Sequence, residues 1–187
     1  MSTPYAQRRA RAAAEMTRLG GPGGIAIIPT APERPRNRDT DFLYRHDSYF
    51  YYLTGFAEPN AWLVLTGDGK STLFCQPKDL EREIWDGIRL GPEAAPAALG
   101  VDEAWSVDEL DARLPKLLEN TATVWYPFAT HTGLESRIDG WLQRLLAGSA
   151  GLPQKRRLLA ELQAMPLRME SPLAGTSLQQ LRALRGK

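Results

Sequence analysis

The sequence predicts an α/β domain, a layered mixed β-sheet flanked by helices, and three observations carry that prediction. Strand-like and helix-like segments alternate from residue 25 to residue 147. The apolar run at 61–65 is joined to a second run at 71–75 through Gly67-Asp68-Gly69, a hairpin signal that places an antiparallel pair inside the sheet. Hydrophobic residues at 43% and charged residues at 24% are those of a globular chain, which sets aside disordered and fibrous classes. Helices alternating with strands of this kind pack on a sheet in layers.

The elements follow in order. Residues 4–19 read as a helix, with Thr3 as N-cap, Pro4 at the tolerated first position and Ala-rich sequence up to Leu19. Its four arginines, Arg8, Arg9, Arg11 and Arg18, against Glu15 alone read as a solvated face. Gly20-Gly21-Pro22-Gly23-Gly24 ends it and leads into the strand 25–28. A phosphate-cradling loop needs strand, loop, helix; here the order is reversed, so the glycines read as a turn.

Residues 29–48 form a polar stretch with three prolines, three spaced arginines (Arg34, Arg36, Arg38) and Asp39-Thr40-Asp41, long enough for a functional loop. The aromatic run Tyr49-Phe50-Tyr51-Tyr52-Leu53 is rich in β-formers and reads as a core strand closed by Thr54-Gly55. After the hairpin, residues 79–86 read as a short acidic helix holding Trp85, and 92–99 as a further helical turn. Ser106-Val107-Asp108-Glu109 reads as a capping box opening a helix towards Leu118, and 121–126 as a strand. Leu134, Ile138, Trp141, Leu142 and Leu145 recur at helical spacing over 134–147. Beyond Gly148-Ser149-Ala150-Gly151 the character changes: residues 155–187 carry seven Lys and Arg against two Glu. The expected division is therefore a domain over 1–152 and a linker-like extension over 153–187.

Composition narrows the function classes. Lys and Arg number 23 and Asp and Glu 22, so no basic excess drives binding to nucleic acid or an acidic membrane. Residues 33–45 hold four Arg against Glu33, Asp39 and Asp41, too small an excess for a phosphate-tracking groove beside the aromatics. A single cysteine, Cys75, leaves no internal disulfide framework and suits a reducing compartment, so a cytoplasmic protein is expected. No stretch approaches the ~18 apolar residues of a membrane helix, and Arg8, Arg9 and Arg11 precede no signal-like core.

Candidate chemistry is thin. Asp39, Asp41, His46 and Asp47 cluster within nine residues and could begin a divalent-metal site, but in a polar loop such residues more often cap turns and pair with arginines. No serine sits in a Gly-x-Ser-x-Gly elbow, and Cys75 lies mid-strand among apolar neighbours, where a thiol is usually inert. Trp85, surrounded by charge in Leu80-Glu81-Arg82-Glu83-Ile84-Trp85-Asp86-Gly87, has two readings: an interface hot spot, or a side chain packed on its own domain.

Two blocks carry a family resemblance. Arg36-Asn37-Arg38-Asp39-Thr40, with Tyr44-Arg45-His46-Asp47-Ser48-Tyr49-Phe50-Tyr51-Tyr52-Leu53-Thr54-Gly55-Phe56-Ala57-Glu58-Pro59-Asn60-Ala61, closely resembles the N-terminal domain of bacterial Xaa-Pro aminopeptidases (aminopeptidase P). Glu83-Ile84-Trp85-Asp86-Gly87-Ile88-Arg89-Leu90-Gly91-Pro92-Glu93-Ala94-Ala95 and Leu99-Gly100-Val101-Asp102 resemble that family's next block, in the same order and with similar spacing. The resemblance covers roughly 5–150 and implies the creatinase-type N-terminal fold.

Members of that family remove the residue that precedes proline at a peptide N-terminus, using two divalent metals, usually manganese. The metals sit in a later "pita-bread" catalytic domain, expected to be absent from this chain, so no metal ligand or catalytic residue is assigned to it. By the likeness, Trp85 is a substrate-rim and interface aromatic, while Asp39, Tyr44 and Arg45 are structural signature residues paired around their loop. The implied partners are further copies of the chain or a catalytic-domain chain, together with proline-containing peptides. The leading expectation is a non-catalytic N-terminal domain, inactive alone; the alternative is a stand-alone peptide- or protein-binding module derived from it.

Overall fold

The computed structural model describes residues 3–147 apart from 39, 80 and 82. Helix α1 (Pro4–Gly20) starts where Thr3 accepts the Ala6 amide on its hydroxyl, and ends at Gly21 with a positive φ of 77°. Strand β1 (Gly24–Pro29) is buried along its whole length. A small hairpin of β2 (Pro35–Asn37) and β3 (Thr40–Asp41) follows, then helix α2 (Ser48–Thr54) and the hairpin β4 (Trp62–Thr66) and β5 (Ser71–Cys75). Helices α3 (Glu83–Asp86) and α4 (Gly91–Leu99) lead to strand β6 (Glu103–Ser106). A 3₁₀ turn (Val107–Glu109), α5 (Leu110–Leu117), β7 (Thr123–Trp125) and α6 (Leu134–Ala147) complete the order.

Five strands make one sheet in the order β6-β5-β4-β1-β7. The β1/β4 and β4/β5 pairs are antiparallel, with Ile27 opposite Val64 and Leu63 opposite Leu73, while β1/β7 and β5/β6 are parallel. Side chains alternate across a strand, so β1 sends Ala26 and Ile28 to one face and Ile25 and Ile27 to the other. The first face packs on Met16, Phe50, Leu53 and Ala95 from α1, α2 and α4. The second packs on Leu110, Leu114, Ile138 and Trp141 from α5 and α6. Helices cover both faces, which is why β1 carries an unbroken apolar run. The mixed sheet flanked by helices is the fold class expected.

Several local readings are corrected. The aromatic run 49–53 is a helix, not a strand. Asp47 accepts the Tyr49 and Phe50 amides on one carboxylate oxygen at 2.8 and 2.9 Å, and Gly55 closes the other end in the left-handed conformation. Phe50, Leu53 and Thr54 are buried while Tyr49 and Tyr52 face solvent, a spacing of three and four. The basic face of α1 is not wholly solvated, because Arg9 is 2% exposed. Among the described residues of 79–86 helix is confined to α3, and the 29–48 stretch contains the β2–β3 hairpin. Strand β6 went unanticipated because it is a half-buried edge of four residues pairing only with β5. At 106–109 the Ser106 hydroxyl accepts the Asp108 amide at 3.3 Å, while Glu109 turns to Arg113 at 2.7 Å, so a 3₁₀ turn precedes α5. The expected division at 152 and 153 lies outside the described residues.

Candidate functional site

Two regions gather the residues singled out by sequence. The first is the segment 77–90 between β5 and α4. Its hydrogen bonds are mostly local: Glu83 N–H donates to the Asp79 carbonyl at 2.9 Å and Gly87 N–H to the Glu83 carbonyl at 3.1 Å. Lys78 lies 4.0 Å from the Glu83 carboxylate. Ile84 and Ile88 are 79% and 83% exposed, so this projecting turn carries apolar side chains away from the core. Trp85 sits in α3 between them; its side chain falls outside the described part of the structure.

The second region is the loop that enters α2. Residues 42–48, together with Ala31, Pro32 and Arg34, line a groove of about 390 Å³. A neighbouring groove of about 470 Å³ shares Ala31, Pro32, Arg34 and Asp47 and extends to Trp62, His131 and Arg137. The Tyr44 hydroxyl lies 2.8 Å from Thr30 Oγ1 and donates to the Ala31 carbonyl at 3.1 Å. Burial, tempered by the Thr30 bond, raises its pKa above that of a free phenol. Tyr44 thus pins the loop to the end of β1. Arg45 is exposed and makes no ion pair with a described residue, and Asp39 lies outside the described residues. The Tyr44 partners are thus Thr30 and Ala31 rather than Asp39 or Arg45.

The other candidates have structural work to do. Asp47 caps α2, and the His46 ring stacks on Tyr51 with centroids 4.1 Å apart. Among the described residues no three His, Cys, Asp or Glu side chains are grouped closely enough to hold a metal ion. Burial pushes the Cys75 thiol up to about 12, with Glu58 and Glu93 adding to the effect, so it is no nucleophile at neutral pH. Two side chains that sequence reasoning passed over matter more. Arg9 donates to the carbonyls of Leu53 at 3.0 Å and of Gly100, and Glu58 accepts the Leu90 amide on Oε1 at 2.9 Å. Neither has a local sequence signal, because their partners are backbone groups 32 to 91 residues away.

Comparison with known proteins identifies the family. The family model for the aminopeptidase P N-terminal domain matches residues 5–125. The chain belongs to that family. A Xaa-Pro aminopeptidase from Haemophilus influenzae is 40% identical over 131 residues, 68% of this chain and 30% of that protein. The Escherichia coli Xaa-Pro aminopeptidase is 39% identical over 147 residues, 76% of this chain and 33% of the relative. Among solved structures, E. coli aminopeptidase P in a low-pH form superposes with a TM-score of 0.74 at 36% identity, over 80% of this chain and 34% of that one. Pseudomonas aeruginosa PepP gives 0.72 at 36% identity, over 80% of this chain and 35% of that one. The aminopeptidase P N-terminal domain seen here thus spans about a third of the length of the relatives it matches.

Proposed function

We propose that this domain is the non-catalytic N-terminal part of a proline-specific (Xaa-Pro) metalloaminopeptidase, and that it contributes oligomer contacts and the rim of the substrate entrance. The observation that carries this reading is the projecting turn around Trp85, where Ile84 and Ile88 are more than three-quarters exposed. Contiguous exposed apolar side chains mark surfaces that meet a partner. Trp85 then stacks on a proline-containing peptide or meets a neighbouring subunit, while Asp39, Tyr44 and Arg45 are structural residues of their own loop. Manganese, on this reading, serves the catalytic domain, and no step through it is assigned to the residues described. Further copies of the chain or a catalytic-domain chain are the partners, in the cytoplasm. Among the described residues no helix is long and apolar enough to cross a membrane.

The test is hydrolysis of an Xaa-Pro tripeptide by the purified chain with Mn²⁺, with a chelator, and with a catalytic domain supplied. No turnover by the chain alone, and turnover on supply of the catalytic domain that weakens when Trp85→Ala is used, is the expected outcome. Chelator-sensitive turnover by the chain alone would overturn the proposal.

A further inference from the structure

The segment that carries Trp85 exposes Ile84 and Ile88, and a bond at Leu90 ties its far end to the domain. Among the described residues of 77–90, local hydrogen bonds run from the Glu81 and Glu83 amides to Asp79, from Gly87 N–H to the Glu83 carbonyl and from Arg89 N–H to Glu83 Oε1 at 3.5 Å. These bonds move with the segment. The Leu90 amide instead donates to Glu58 Oε1 at 2.9 Å, across 32 residues, into the short connection between α2 and β4. That connection is fixed on both sides, since Phe56 and Ala61 are 3% and 1% exposed in the core.

The second carboxylate oxygen makes the arrangement informative. Glu58 Oε2 is buried and has no hydrogen-bond partner among the described residues. A buried, unsatisfied carboxylate oxygen costs stability, and an apolar side chain would fill the place without that cost. What a hydrocarbon could not supply is an acceptor for Leu90. The side chain of Leu90 packs against the buried cluster around Phe50 and Leu63, so the bond sets where the segment leaves the core.

We propose that Glu58 is the positioning residue of the Trp85 segment: by accepting the Leu90 amide it fixes the exit of residues 83–90 and hence the place at which α3 projects. This deepens the substrate-rim reading and rests on it for its functional meaning, but the positioning itself is read at the segment.

Amide hydrogen exchange on the 187-residue chain tests it, with Glu58→Gln, Glu58→Leu and Leu90→Pro compared with the parent. Glu58→Leu is expected to speed exchange across 83–90 by about tenfold while β4 and β5 stay protected. Glu58→Gln keeps an acceptor oxygen and is expected to hold the parent's protection to within about threefold. Leu90→Pro removes the donor at a φ of −66°, which proline adopts, and also the Leu90 packing, so it is read against Leu90→Ala, which loses the packing but keeps the donor, should Glu58→Leu fail to fold. Combining Glu58→Leu with Leu90→Pro is expected to add nothing over 83–88. Exchange over 83–88 no faster in Leu90→Pro than in Leu90→Ala, or equal loss of protection in Glu58→Gln and Glu58→Leu, overturns the proposal. Failure of the rim reading shows separately, as a peptide affinity that Trp85→Ala leaves untouched.

Discussion

The guanidinium of Arg9 donates to the backbone carbonyl of Gly100, 91 residues away, and through its other nitrogen to the carbonyl of Leu53. One side chain on α1 therefore satisfies the C-terminal ends of both α2 and α4, where helix carbonyls have no intrahelical partner. Burial works against the charge, and Asp102 nearby supports it. Arg9→Met keeps most of the apolar stem but leaves these carbonyls buried and unpaired. The expected loss is about 3 kcal/mol, read as a lower urea midpoint, because each abandoned buried acceptor costs about 1–3 kcal/mol. Arg9→Lys should fall between, since a single ammonium cannot span both acceptors with the fork geometry of arginine.

Asp47 decides that the run 49–53 is helical. Asp47→Ala removes the acceptor for the Tyr49 and Phe50 amides and is expected to cost about 1 kcal/mol by thermal unfolding. Asp47→Asn or Asp47→Ser should recover most of it, since both side chains can accept the same amides.

The same cap shows where legibility in the sequence ended. Periodic apolar runs with strong punctuation were readable: α1 by Thr3 and the glycine cluster, the β4–β5 hairpin by Gly67-Asp68-Gly69, and α6 by the spacing of Leu134, Ile138 and Trp141. Residues 49–53 were not, because five consecutive aromatic and aliphatic residues fit either period, and only the burial of Phe50 and Leu53 with exposed Tyr49 and Tyr52 separates them. Arg9 and Glu58 were invisible for a different reason. A charged residue on a short motif looks solvated until its partners, backbone carbonyls and amides from distant segments, are brought to it.

Asp102 gives the fold a dependence on acid. Its Oδ2 accepts both the amide and the hydroxyl of Ser71 at 2.7 Å, joining the start of β5 to the start of β6. Burial pushes its pKa up, but the two Ser71 bonds and the Arg9 charge outweigh that and hold it below the ordinary carboxylate value. A depressed folded-state value means the stabilisation is complete above the unfolded value of about 3.9 and is lost as pH falls through the folded one. Urea midpoints should therefore fall as pH drops below about 4 in the parent. Asp102→Asn should start lower at pH 7, by about 1 kcal/mol, and show a shallower acid limb; an unchanged slope would discard this account.

Cys75 should ignore thiol reagents in the folded chain. It is fully buried in β5 and its thiol is pushed up to about 12 by burial, then by Glu58 and Glu93. At pH 8 the thiolate is a minute fraction, so labelling by an aromatic disulfide reagent is expected only at the rate of unfolding. Fast labelling in the absence of denaturant would place the thiol at the surface.

Gly55 meets two constraints at once, and they can be separated. Its φ of +70° is a left-handed conformation that closes α2, and a Cβ built there would lie 2.5 and 2.6 Å from the Tyr5 ring. Gly55→Ala must therefore carry the backbone penalty of about 1 kcal/mol and also displace Tyr5 from its edge-on contact with Tyr51. The combined loss is expected to be about 2–3 kcal/mol. Tyr5→Ala makes room for the methyl group, so in the double variant the steric part vanishes and only the backbone part of about 1 kcal/mol should separate it from Tyr5→Ala alone. Simple additivity of the two substitutions would show that Tyr5 does not press on Gly55, and that the left-handed cap alone selects glycine there.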